Sequence, residues 1–244
     1  MRTKPRRVRA ELLDDLPPEN PQAQRSRRDL RRVHHAMNSV SILRRAVTGL
    51  RLAVPPRRIL ELGAGEGICL LRLARVLNPR WTGVEVTLLD RHDLVTEATR
   101  RAYRELGWIV TMICADALAW AQEPVAERYD LCIATLFLHH FDTARLSILL
   151  SAAAARTDAF VCGEPRRDFL GRVASASIGV IGANRITRED AVTSVAAGFR
   201  GRELSTLWAR AAGDWNVAEF RALPFMHCFT AVRATAARGG GDAP

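Results

Sequence analysis

Nine residues constrain this chain more than any others: Ile59-Leu60-Glu61-Leu62-Gly63-Ala64-Gly65-Glu66-Gly67. A short apolar strand carries an acidic residue, three glycines follow at alternate positions, and an apolar helix from Ile68 to Leu77 comes next. Glycines bunched at the carboxyl end of a strand let a ligand approach the backbone, because no Cβ stands in the way. The helix behind them aims its free N–H groups at the same spot. This arrangement predicts an open α/β sheet holding an adenosine-containing ligand over its strand ends. A dinucleotide site needs G-x-G-x-x-G. Here that last position is Ile68, and the third glycine comes one residue early, at Gly67. Glu61, two residues before the first glycine, suits a zwitterion carrying an ammonium and a sulfonium better than a pyrophosphate.

Around this string the chain alternates strand and helix, which predicts a parallel sheet covered on both faces. Expected strands are Arg58–Leu62, Thr82–Leu89 ending at Asp90, Trp108–Cys114, Tyr129–Thr135, Ala159–Gly163, Glu203–Trp208 and Met226–Val232. Tyr129–Thr135 is continuously apolar after Asp130, as a central strand buried on both faces should be. Helices are expected over Asp93–Leu106, ending at the C-cap glycine Gly107, over Thr143–Ala155, and from a start near Ala117. Within the long connection 165–200, Thr187-Arg188-Glu189-Asp190 reads as a capping box opening a helix that stops at Gly198.

Before the sheet, Leu30, Val33, Met37, Val40 and the stretch Ile42 to Val47 fall near a 3.6-residue period. They predict one or two helices within 21–56, serving either as a lid or as plain cover for a sheet face. Pro55-Pro56 closes that region. Residues 1–20 are charged and proline-punctuated and are expected to be a disordered basic leader, as is the tail 235–244.

Forty-eight per cent of the 244 residues are apolar, enough for one large domain. No apolar run reaches the ~18 residues that span a bilayer, so no transmembrane segment is expected, and no secretory leader is recognised. The five cysteines form no C-x-x-C pair and read as reduced thiols of a cytoplasmic protein. The net charge of +10 raises the possibility of a polyanionic partner. Half of that charge sits in residues 1–32, with ten basic and five acidic side chains, which is the usual composition of a solvated tail.

The glycine string resembles motif I of the class I S-adenosylmethionine-dependent methyltransferases, E/D-x-G-x-G-x-G, at all four signature positions. The resemblance extends over about residues 55–235. It implies a doubly wound, mostly parallel seven-stranded α/β sheet whose last strand inserts antiparallel, with an N-terminal helical lid and a methyltransferase domain over 57–234. It implies S-adenosyl-L-methionine as cofactor. Its binding residues are then Glu61, Gly63, Ala64, Gly65, Gly67, Asp90, Arg91, Asp116, Ala117, Thr135 and Leu136. Asp90 ends strand two, where a carboxylate accepts from both ribose hydroxyls; Glu85 is its rival in the same strand. Asp116 matches the family's adenine contact, and a helix cap is its alternative role.

After strand four, Thr135-Leu136-Phe137-Leu138-His139-His140-Phe141-Asp142 is similar to the segment of the small-molecule branch that includes quinone-biosynthesis-type methylases. His139 or His140 is the candidate base for a phenol, and the pair equally suits a shaping role. Adjacent side chains diverge, and no other residues supply ligand spacing, so no metal is expected. Glu164, Arg166 and Asn184 are the candidate substrate contacts, a surface ion pair being the alternative for the first two. Trp208 and Trp215 read as packing residues, and His34 and His35 as surface or lid residues.

The function implied is methyl transfer to an oxygen or carbon of a small, aromatic or lipid-like acceptor. The apolar segment Leu136-Phe137-Leu138 motivates the apolar acceptor. The alternatives are an RNA or protein methyltransferase and a non-catalytic protein docking on nucleic acid through its arginine-rich leader. The absence of an N-P-P-Y-type tetrapeptide after strand four counts against a nucleobase amine as acceptor.

Overall fold

The computed structural model describes residues 5–78, 80–211 and 213–237. Among them seven strands form one sheet in the order β3-β2-β1-β4-β5-β7-β6. The strands are β1 (Arg58–Leu62), β2 (Glu85–Asp90), β3 (Ile109–Cys114), β4 (Tyr129–Thr135), β5 (Thr157–Pro165), β6 (Trp215–Ala222) and β7 (Met226–Arg233). β1 to β5 pair in parallel, and β7 runs antiparallel between β5 and β6. The sheet is therefore mixed, with a single reversed strand.

The alternation of side chains along each strand divides the core in two. Ile59, Leu131, Ile133, Ala159 and Val161 face α2 (Ser39–Gly49), α3 (Ile68–Leu77) and α4 (Glu97–Glu105). Leu60, Leu62, Cys132, Ala134, Phe160 and Cys162 face α5 (Ala117–Gln122), α6 (Thr143–Arg156) and α9 (Glu203–Trp208). Each fully buried aliphatic side chain contributes about 1.5–3 kcal/mol, so both helical layers are firmly seated.

Above the carboxyl edge lie α1 (Pro21–Ala36), α7 (Phe169–Ser177) and α8 (Arg185–Ala197). Asn20 opens α1 by accepting from Gln22 and Ala23 N–H. Asn184 joins α8 to α1: its Oδ1 accepts from Thr187 N–H (2.8 Å), and its amide donates to Ser26 Oγ (2.9 Å). Asp29, buried on α1, accepts from the Asn184 backbone (2.8 Å).

Several expectations change. The box at Thr187 does not open α8, which starts at Arg185 under an Asn184 cap; Asp190 instead accepts from Leu12 and Leu13 N–H (2.7 and 3.0 Å). The expected strand Glu203–Trp208 is α9, because Leu204, Leu207 and Trp208 fall on one helical face and are buried together. β6 was not expected: it is a largely exposed edge strand. β5 runs on to Pro165, so Glu164 lies in the sheet opposite His227.

The leader also differs from its expectation. Residues 5–20 lie against the domain: Arg6 donates to Ala197 O and Phe141 O (2.8 and 3.0 Å) and stacks over the Phe199 ring. Residues 1–4 and 238–244, expected to be disordered, lie outside the described residues.

Candidate functional site

The carboxyl ends of β1 and β2 lie side by side, Leu62 opposite Leu89. Gly63 and Ala64 N–H donate to Leu89 O (2.9 and 3.1 Å), and Gly65 N–H donates to Asp90 Oδ2 (2.8 Å). Gly63, Gly65 and Gly67 have φ of +67°, +53° and +67°, the left-handed region that disfavours a Cβ. Beyond that shared backbone they answer to different neighbours. A Cβ on Gly63 would lie 2.1 Å from the Phe137 ring, and one on Gly67 would lie 2.8 Å from Leu88 Cδ1. A Cβ on Gly65 would meet nothing within 4 Å. Of the three, only Gly65 would place a Cβ in open space.

Behind this loop Glu61 is buried, and its Oε2 has no hydrogen-bond partner among the described residues. Burial, with Asp90 adding to it, pushes this carboxyl well above the usual range. A buried carboxyl without a donor is costly, and it marks the floor of the glycine loop as a place that a cationic group would relieve.

The open space at Gly65 belongs to a cavity of about 460 Å³, the size range of small-ligand sites. The glycine loop, Asp90, Arg91, Thr135, Leu136, His139 and His140 all line it, and Asp14 pairs with both Arg91 (3.4 Å) and His140 (3.1 Å). Leu13, Leu16, Leu30, Val33, Met37 and Val40, from the leader, α1 and α2, make an apolar wall. Arg31 of α1 grips Glu66 through two hydrogen bonds (2.8 and 2.7 Å), clamping the wall to the loop.

β4 stops at Thr135. Leu136 takes a positive φ of 52°, and a 3-10 turn over Leu138–His140 sets the two imidazoles side by side, 4.4 Å between centroids. His139 Nδ1 lies 2.7 Å from Glu164 Oε2, and its Nε2 lies 3.3 Å from Glu11 Oε1. His140 Nδ1 lies 3.1 Å from Asp14 Oδ2, and its Nε2 lies 4.0 Å from Glu11 Oε2. Burial alone would lower the pKa of His139, but hydrogen bonds and charge from Glu11 and Glu164 outweigh it and push it to about 9. His139 is thus a charged bridge between two carboxylates at neutral pH. Burial would raise Glu11 and Asp14, yet the imidazoles hold both below the usual carboxylate range.

Nine of the sequence-predicted residues meet in this cavity: Gly63, Ala64, Gly65, Asp90, Arg91, Thr135, Leu136, His139 and His140. Glu61 and Gly67 stand behind the loop. Asp116 caps α5, accepting from Leu118 and Ala119 N–H, and neither it nor Ala117 lines the cavity. The three expected substrate contacts are placed otherwise. Glu164 is fully buried and accepts N–H bonds from Phe137, Leu138 and His139, so it holds the histidine turn. Arg166 is buried in an ion pair with Asp168. Asn184 is spent on the α1–α8 junction.

The expectation that adjacent histidines diverge also changes. Carboxylates anchor each Nδ1, and both Nε2 atoms turn toward Glu11. Glu11 and Asp14 were missed because they lie in the leader. The signal was Glu11-Leu12-Leu13-Asp14-Asp15-Leu16, an apolar and acidic insert inside an otherwise basic segment.

A family model described as a methyltransferase domain matches residues 59–157. No curated protein matches the chain in sequence. Among solved structures, an O-methyltransferase-type protein from Nostoc punctiforme is 18% identical over 89% of this chain, with a TM-score of 0.58. The chain spans 62% of that protein's length. The plantazolicin methyltransferase BpumL, solved with a monoazolic desmethylPZN analog and SAH, is 15% identical over 87% of this chain and 91% of its own, with a TM-score of 0.61. An O-methyltransferase family protein from Burkholderia thailandensis is 15% identical, covers 90% of this chain and 61% of its own, and gives a TM-score of 0.53. At such identities the likeness is one of fold, and it coincides with the family match over the glycine loop, Asp90 and the histidine turn. Over residues 59–157 the chain matches a methyltransferase domain, set within a fold it shares with these structures.

Proposed function

We propose that the chain methylates a hydroxyl oxygen, or an activated carbon, of a small apolar acceptor that enters the cavity between the glycine loop and the histidine turn. The supporting observation is that one cavity is lined by open backbone and a carboxylate, by an apolar wall and by a histidine–carboxylate cluster. The residues fit the cofactor. Gly65 leaves free the volume that a nucleoside needs, Asp90 retains acceptor capacity for ribose hydroxyls, and Glu61 is an unpartnered buried carboxyl beneath the methionine end. S-adenosylmethionine held there supplies a methyl already activated by the sulfonium charge.

The rest is positioning. The chain must hold the acceptor oxygen about 3–3.5 Å from the methyl and keep water away, which can remove ~7–11 kcal/mol of barrier. The leader, α1 and α8 supply that enclosure, fixed by the Arg31–Glu66 clamp and by Asp190. For the acceptor proton the two histidines differ. His139 has both nitrogens engaged by carboxylates. His140 has Nδ1 steadied by Asp14 and Nε2 beyond hydrogen-bond reach of Glu11, so the role of proton acceptor goes to His140.

The nucleic-acid readings are weakened by the leader: Arg6 is spent on Ala197, Phe141 and Phe199 rather than left for phosphate. The five free cysteines support a reducing compartment, the cytoplasm. No helix of the described residues is long and apolar enough to cross a membrane. A screen of phenols and quinols with labelled cofactor tests the reading. Transfer to at least one of them, slowed by His140→Gln, is expected. Transfer to an RNA or protein substrate instead would overturn it.

A further inference from the structure

Three groups at the acceptor end converge more closely than a proton acceptor needs. One ligand atom from each of Glu11, His139 and His140 can be chosen so that all lie within 4.8 Å of one another. Each imidazole is held from behind: His139 Nδ1 by Glu164 at 2.7 Å, His140 Nδ1 by Asp14 at 3.1 Å. A carboxylate on Nδ1 places the proton there and leaves the Nε2 lone pair facing forward, the outer-shell arrangement of metal-bound histidine. Glu164 is itself fixed by the N–H groups of Phe137, Leu138 and His139, at 3.0, 2.9 and 3.3 Å. Glu11 is fixed by the Ser194 hydroxyl.

We propose that Glu11, His139 and His140 bind one divalent first-row transition cation, of the zinc type, at the acceptor end of the cavity. Two imidazoles and one carboxylate suit zinc, iron or nickel, whereas magnesium and calcium prefer all-oxygen cages. Three protein ligands leave positions open, and the cavity lies on that side. The charges agree: with both imidazoles neutral, Glu11, Glu164 and Asp14 present three negative charges that a dication largely offsets.

The use of the cation rests on the methyl-transfer reading, but its binding does not. An acceptor hydroxyl at the open position is acidified by the cation. Its proton passes to water, the oxygen–methyl bond forms as the sulfonium–methyl bond breaks, and the cation keeps its oxidation state. His140 then holds the cation and is no longer the proton acceptor.

The test uses full-length protein without a histidine tag, stripped with a chelator and titrated with Co²⁺ and with Zn²⁺. Visible d–d absorption reports cobalt, and competition against a chromophoric chelator reports zinc. One equivalent per chain is expected. Glu11→Gln and His140→Ala should each weaken binding about tenfold or more, the range for lost ligands and their supports. Glu11 is largely buried, so the variant keeps its size and hydrogen-bonding capacity as Gln, and a thermal melt checks that the fold is retained. His35→Ala, an exposed residue outside the cluster, should bind like the parent. No stoichiometric binding, or binding unchanged in both cluster variants, overturns the site. Calorimetry with S-adenosylmethionine on the same stripped protein separates the two claims. Cofactor heat without cation binding removes only the cation site, and cation binding without cofactor heat removes the methyl-transfer reading.

Discussion

Gly63 and Gly65 share a left-handed backbone, yet a methyl group added to each should act differently. At Gly65 the added Cβ meets nothing within 4 Å, so Gly65→Ala carries only the conformational penalty of φ +53°. That penalty is about 1–2 kcal/mol. For a chain of this size about 1 kcal/mol moves the melting temperature roughly 2–4 °C, so Gly65→Ala should lose about 2–8 °C. At Gly63 the same penalty applies, and the new methyl also drives into Phe137 at 2.1 Å. Overpacking adds about 1–3 kcal/mol, so Gly63→Ala should melt lower than Gly65→Ala. Cofactor binding should rank the other way relative to stability. Gly65→Ala, and more so Gly65→Val, fills the volume that the nucleoside needs. A loss of tenfold in affinity, about 1.4 kcal/mol, is the least expected for Ala. Thermal melts paired with calorimetric titration of S-adenosylmethionine read both quantities. A Gly65→Val protein that binds the cofactor like the parent would refute the placement. A Gly63→Ala protein as stable as Gly65→Ala would refute the packing argument.

Three further outcomes are expected. Arg31→Ala breaks a half-exposed bidentate clamp, so it should cost stability under about 1 kcal/mol while raising KM for the acceptor, and steady-state kinetics with a melt would show the split; an unchanged KM would deny α1 its role in enclosing the site. Burial, with Arg72 nearby, lowers His34 to about 4, below its unfolded value near 6.5, so protonation favours the unfolded chain. Stability present above pH ~6.5 should therefore fall as the pH drops toward 4, and His34→Gln should flatten that part of the urea-denaturation profile. Glu61 has the opposite sense: its folded pKa is raised well above the unfolded ~4.5, so rising pH should cost the parent stability that Glu61→Gln retains. Parallel profiles for Glu61→Gln and the parent would show that the buried carboxyl is satisfied after all.

Much of the sheet was legible because its signals are local. The glycine string fixed β1 and α3, the apolar run after Asp130 fixed β4, and Asp90 ended β2 where expected. The misread elements lacked that kind of signal. Leu204, Leu207 and Trp208 form a helical triplet too short to separate from a strand by periodicity alone, and β6 is an exposed edge. At the site, residues adjacent to motifs were found, and residues brought in from a distance were not. Glu11 is 128 positions from His139, and nothing in one sequence links them. Glu164 was read as rim because β5 was ended two residues too soon, at Gly163; two more residues of pairing turn a rim carboxylate into a buried anchor for the histidine turn.

The central claim is that the opening at Gly65 receives the nucleoside of the methyl donor. A crystal structure of the full chain with S-adenosylhomocysteine tests it most directly. The account predicts the nucleoside against Gly63–Gly65 with its ribose hydroxyls on Asp90 and its sulfur turned toward His139 and His140. A nucleoside bound away from Asp90, or a glycine loop that stays empty at saturating ligand, would contradict it.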